Sequence, residues 1–182
     1  VAKPSKLIAF LRALNVGGHT VKMEDLRALF AGLGLAGVES FIASGNLIFD
    51  APGGPLPKLE TKIAAHLEAA LGYPVATFLR TSAELAAAAE YQPFDPAEVA
   101  KAHAIHLVFL GAPVTPAAQA RLAALNDAVN QFHCHGRELY WLRRAGQDVA
   151  PYSGAQLEKA LGAPSTARSL TTVRKLVAKY PA

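Results

Sequence analysis

Apolar and polar positions alternate along the first half of the chain in an order that predicts strand, helix, strand, strand, helix, strand. The run "KLIAFLRAL" reads as a buried strand. In "MEDLRALFAGLG", Met23, Leu26, Leu29, Phe30 and Leu33 fall on one helical face, and Gly34 supplies a stop. "VESFIA" and "NLIFDA" are short strand-like runs joined through Ser44-Gly45, which suits a tight hairpin. "PGGPLP" is a loop. "KLETKIAAHLEAALG" carries Leu59, Ile63, Leu67 and Leu71 at steps of four, with Gly72 after its end, and "YPVATFLRT" is a fourth strand.

The order recurs. After a helical "SAELAAAAE" and a loop "YQPFDP" come a strand "HAIHLVFLG" and a helix "TPAAQARLAALNDA" opened by Thr115 and Pro116. "QFHCH" and "ELYWLRR" read as strands around Gly136-Arg137. "GAQLEKALG" and "LTTVRKLVAKY" read as helices. "LIAFL" in the first half resembles "LVFL" in the second. The pattern predicts an α+β fold made of duplicated ferredoxin-like βαββαβ units. No run reads as the last strand of the second copy, so that copy is expected to be incomplete, with a helix in the strand's place. The expected division is an N-terminal half over 6–81, a helical and loop connector over 82–103, and a C-terminal half over 104–182 with a basic helical end.

Composition narrows the class. The chain is 52% hydrophobic and 18% charged over 182 residues, enough apolar material for a sizeable core and too much for disorder. No apolar run reaches the length of a membrane span. "VAKPSK" is followed by no signal-type hydrophobic region. The single cysteine, Cys134, excludes an intrachain disulfide and fits a reducing compartment. A soluble cytoplasmic protein is the expectation. The net charge of +4 is uneven: residues 137–182 hold Arg137, Arg143, Arg144, Lys159, Arg168, Arg174, Lys175 and Lys179 against three acids. Such a surface attracts phosphate-bearing partners or simply keeps an Ala-rich protein in solution.

Several segments carry a family resemblance. "FLRALNVGGHTVKMEDLRALFAGLG", "FIASGNLIFD", "QPF", "GRELYW", "LEKALG" and "TARSLTTVRKL" together resemble an uncharacterised bacterial family catalogued as domain-of-unknown-function family 1697. The family pattern has a glycine where this chain has Ala13, and Arg-Asn-aromatic where it has Arg168-Ser169-Leu170. The resemblance implies a two-part ferredoxin-like α+β fold and no established activity.

The expected topology puts the loop after strand one and the hairpin after strand two at the same sheet end. Arg12, Asn15, Gly17, Gly18, Ser44, Gly45 and Asn46 are therefore the candidate ligand-binding residues. Paired glycines expose N–H groups, and Arg and Asn add donors for a phosphate or carboxylate. The helix beginning near Val21 adds the positive end of its dipole. The same residues also suit a plain turn, since the GxxxxGK[ST] spacing of a phosphate loop is absent. Arg168, Thr171 and Thr172, at the start of the last helix, form a second candidate anion site, or a simple cap.

"HCH" invites a metal, but on a strand His133 and His135 face one way and Cys134 the other, and zinc spacings are missing, even with His103 and His106 nearby. The sequence implies no metal and no cofactor. Phe10 and Phe49 raise the question of RNA stacking, yet the RNA-recognition signature is absent. Three functions stay open: binding of a small anionic or nucleotide-like ligand at the paired loops, an enzyme of unidentified chemistry in the same cleft, and an interaction protein using the basic C-terminal surface toward nucleic acid or protein.

Overall fold

The computed structural model describes residues 5–15, 17–42, 45–144 and 149–182. The protein is α+β and divides into two compact units, one of residues 1–86 with 176–182, the other of residues 87–175. The C-terminal residues return to the first unit: Tyr180 Oη donates to Glu39 Oε2 at 2.6 Å, and Lys179 Nζ lies 3.8 Å from the same carboxylate. A division drawn along the chain does not reveal this.

The first unit runs β1 (Lys6–Leu11), α1 (Met23–Gly32), β2 (Glu39–Ser40), β3 (Asn46–Asp50), α2 (Leu56–Leu71) and β4 (Thr77–Thr81), followed by α3 (Ser82–Glu90). Its sheet is ordered β2-β3-β1-β4 and is antiparallel throughout. On one face Leu7, Ala9, Leu11, Leu47, Phe49 and Leu79 pack with Leu26 and Phe30 of α1 and Ile63 and Leu67 of α2. The other face, with Ile8, Phe10, Ile48 and Phe78, is buried as well. Burial of both faces explains why β1 is an unbroken apolar run rather than an alternating one. It also leaves neither Phe10 nor Phe49 outward for base stacking: both are 0% exposed.

The second unit runs α4 (Pro96–Ala100), β5 (Ala102–Phe109), α5 (Pro116–Ala123), β6 (Asn130–His135), β7 (Glu138–Arg144), α6 (Gly154–Leu161), β8 (Thr166–Ser169) and the start of α7 (Leu170–Lys179). Its sheet is ordered β6-β7-β5-β8. Val108, Leu139, Trp141 and Phe132 face Ala118 and Leu122 of α5 and Leu157 and Leu161 of α6. Thr115 caps α5 by accepting from the Ala118 N–H at 3.2 Å, and Ser153 and Gln156 form a capping box on α6.

The expectation that the second half lacks its last strand is corrected. A fourth strand, β8, pairs antiparallel with β5 from Phe109↔Thr166 to His106↔Ser169. It is four residues long, "TARS", with no apolar run, and it passes directly into α7, so its local pattern reads as a helix start. Among the described residues, no helix is long and apolar enough to cross a membrane.

Candidate functional site

The loop after β1 is built by contacts from three directions. The Leu11 N–H donates to Gly45 O and the Arg12 N–H to Ala76 O, both at 2.9 Å. Tyr73 Oη donates to Leu14 O at 2.8 Å, and its ring stacks on His19 at 4.3 Å. Asn15 Oδ1 accepts from the Val21 N–H at 3.1 Å, closing the loop onto the approach to α1. Ala13 sits at φ +62°, a left-handed conformation that costs an alanine about 1–2 kcal/mol.

The two loops meet as topology requires. β1 pairs with β3 through Phe10↔Asn46, and Gly45 lies against Leu11 and Leu14. Arg12 is half-buried, and Asn15, Gly17 and Gly18 are exposed. Gly17 (φ +61°) and Gly18 (φ +82°) are consecutive left-handed residues. Asn46 is fully buried; its Nδ2 donates to Phe41 O at 3.1 Å, and its carbonyl accepts from the Phe41 N–H at 3.1 Å. It therefore holds the β2–β3 turn. Ser44 lies outside the described residues. The end of α1 contributes less to an anion than its dipole alone suggests, because Glu24 and Asp25 occupy its first turn.

The second candidate group lies elsewhere, in the second unit. Arg168 is on β8, where its Nη1 donates to Thr166 Oγ1 at 2.8 Å and to Ala167 O at 2.9 Å. Burial lowers its pKa to about 10. The cap of α7 is Ser169, whose Oγ accepts from the Thr172 N–H at 3.1 Å and donates to Thr172 Oγ1 at 3.0 Å. Thr171 is exposed. Other basic residues are also engaged: Arg144 pairs with Glu98 and donates to Gln131, and Arg143 donates to Val149 O at 2.8 Å.

The histidines fall as strand alternation requires. His133 and His135 share a face of β6 and both meet Tyr91: Tyr91 Oη lies 3.0 Å from His133 Nε2, and the Tyr91 and His135 rings stack at 3.9 Å. Cys134 packs toward the core, where burial pushes its thiol pKa up. Among the described residues no three His, Cys, Asp or Glu side chains are placed to hold a metal. Sequence reasoning missed Tyr91, which comes from the connector; only the shared face of the two histidines hinted that something would cover them.

Burial, then Arg143, holds His106 below the ordinary histidine range; burial, then His135, does the same for His133. A depressed histidine pKa favours the folded state above the unfolded value of about 6.5, and that contribution is lost as pH falls through the window below it. Urea denaturation from pH 7 to 5 should show declining stability, less steeply in His106→Phe. Ring-proton titrations should place both midpoints below 6.5. Unchanged slopes and midpoints at or above that value would contradict this.

Comparison with known proteins adds the following. No curated protein has a matching sequence. The fold is similar to that of the conserved bacterial protein SP0830 from Streptococcus pneumoniae, with a TM-score of 0.69 and 22% identity, over 96% of this chain and 97% of that one. The sequence pattern of a protein family of unknown function, DUF1697, matches residues 5–140, and the chain belongs to that family.

Proposed function

We propose that the protein binds a small anionic ligand, phosphate- or carboxylate-bearing, where the loop after β1 meets the β2–β3 turn. We further infer that both units are diverged copies of one ferredoxin-like unit, and this comparison supports the binding reading. From its first strand on, each unit has the same element order, and both have the same sheet order, second-third-first-fourth strand. Each fourth strand carries an arginine on matching register, Ile8↔Arg80 and Leu107↔Arg168. In each, the next residue caps the following helix: Thr81 Oγ1 accepts from Glu84 N–H, as Ser169 Oγ does from Thr172 N–H. Each first strand ends in the same bond, Leu11 N–H to Gly45 O and Leu110 N–H to Arg137 O.

The observation that carries the proposal is where the copies part. The second unit joins its first strand to its helix with residues 110–115; the first uses residues 12–22. The unit does not need the extra length, and that length holds Arg12, Asn15, Gly17 and Gly18. In this reading Arg12 supplies charge, Asn15 Nδ2 and the Gly17 and Gly18 N–H groups donate, and Gly45 and Asn46 position the loop. Titrating the 15N-labelled protein with inorganic pyrophosphate should move the Gly17 and Gly18 amides. Arg12→Ala should weaken binding about 10- to 100-fold, the value of a charge-assisted bond. Saturation that leaves both amides unmoved would overturn the proposal.

A further inference from the structure

We propose that the second unit carries a separate site for a small aromatic carboxylate, in the pocket lined by Tyr91, Phe94, Val99, Ile105, Tyr140 and Arg174. Its volume is about 150 Å³. An apolar cavity of about that size holds one benzene ring. Apart from the exposed Gln92, the walls are apolar in effect, because the polar ends of both tyrosines are engaged. Tyr91 Oη is bonded to His133, and Tyr140 Oη donates to Ala88 O at 2.7 Å. What the two tyrosines offer a ligand is ring face.

Val99 leaves apolar surface exposed at the pocket. It is 40% exposed, one of the few large apolar side chains so exposed among the described residues, and it lies on the pocket wall. Charge then selects the ligand. Arg174, on α7, is the only charged residue among the described lining, and it forms no hydrogen bond or ion pair with another described residue. A planar guanidinium matches a carboxylate in a two-point bond. The apolar walls disfavour a strongly hydrated phosphate, which loses more solvation than one cation returns. A ring with one carboxylate satisfies both features. The site lies in a different unit from the loop of β1, so this inference stands or fails independently of the binding proposed there.

The test is a titration of the 15N-labelled chain with sodium benzoate, and with benzyl alcohol as its neutral counterpart. Benzoate should bind with a millimolar Kd and move the amides of Val99 and Ile105. Arg174→Gln should weaken it about tenfold or more, and benzyl alcohol should bind wild-type protein no better than benzoate binds that variant. Val99→Phe, at an exposed position where the fold is not at risk, should block both. The proposal is overturned if benzoate moves no amide around the pocket. It is equally overturned if benzyl alcohol matches benzoate, or if either substitution leaves benzoate affinity unchanged.

Discussion

Replacing Trp141 by alanine is expected to destabilise the second unit by about 3–5 kcal/mol, the range for emptying a large aromatic site in a packed core. Trp141 is 4% exposed and lies among Phe132, Tyr152 and His106, with ring centroids 5.8, 6.2 and 5.2 Å away. Its Nε1–H donates to Asn130 Oδ1 at 2.9 Å, and Asn130 is itself buried and held by the Asp127 carboxylate. Alanine leaves a cavity and an acceptor without its donor, so the loss should fall toward the upper end. Trp141→Phe separates the two effects: it keeps a ring, removes the N–H and should cost about 1–3 kcal/mol. Urea denaturation followed by far-ultraviolet circular dichroism reads both, since the sole tryptophan fluorophore is lost. A cost below about 1 kcal/mol for the alanine variant would show that the site collapses around the gap.

Gly45→Ala should cost about 2–5 kcal/mol, from two sources. Gly45 adopts φ +76°, which penalises any L side chain by about 1–2 kcal/mol. A Cβ there would lie 2.7 Å from Leu14 Cδ1 and 3.1 Å from Leu11 Cβ. Leu14 belongs to the core and must turn aside, an overpacking cost of about 1–3 kcal/mol. Gly18→Ala is the control: φ is +82°, but no atom lies within 4 Å of the new methyl, so only the conformational penalty applies. Equal losses in the two variants would mean that the close approach of the two loops does not constrain the fold. Displacement of Leu14 should also move Arg12, two residues away, and so weaken pyrophosphate binding in Gly45→Ala.

Much of the candidate site is legible in the sequence, because the strand–helix–strand–strand order brings the loop after β1 and the β2–β3 turn to one sheet end. The division of labour within it is not. Asn15 and Asn46 look alike in sequence, each beside or one residue from glycine. Asn46 is buried and bonded to Phe41 O, whereas Asn15 is exposed and, among the described residues, uses Oδ1 on the Val21 N–H. Which polar group a fold consumes depends on partners outside the local window. The same is true of Tyr91 on His133 and of Tyr180 on Glu39.

By itself, the sequence determined the elements whose burial repeats along the chain. Leu26 and Phe30 on α1, Ile63 and Leu67 on α2 and the unbroken apolar β1 are read from spacing, since a buried face imposes its own period on the residues that form it. Tertiary structure decided what has no such period. β8 is a strand because β5 offers an open edge, not because "TARS" favours one. Gly45 is confined by Leu14, thirty-one residues earlier in the chain, and the pocket of Tyr91 and Arg174 joins segments more than eighty residues apart. Hydrophobic periodicity is a property of neighbouring residues, whereas edge pairing, close approach and pocket lining are set by register between distant ones.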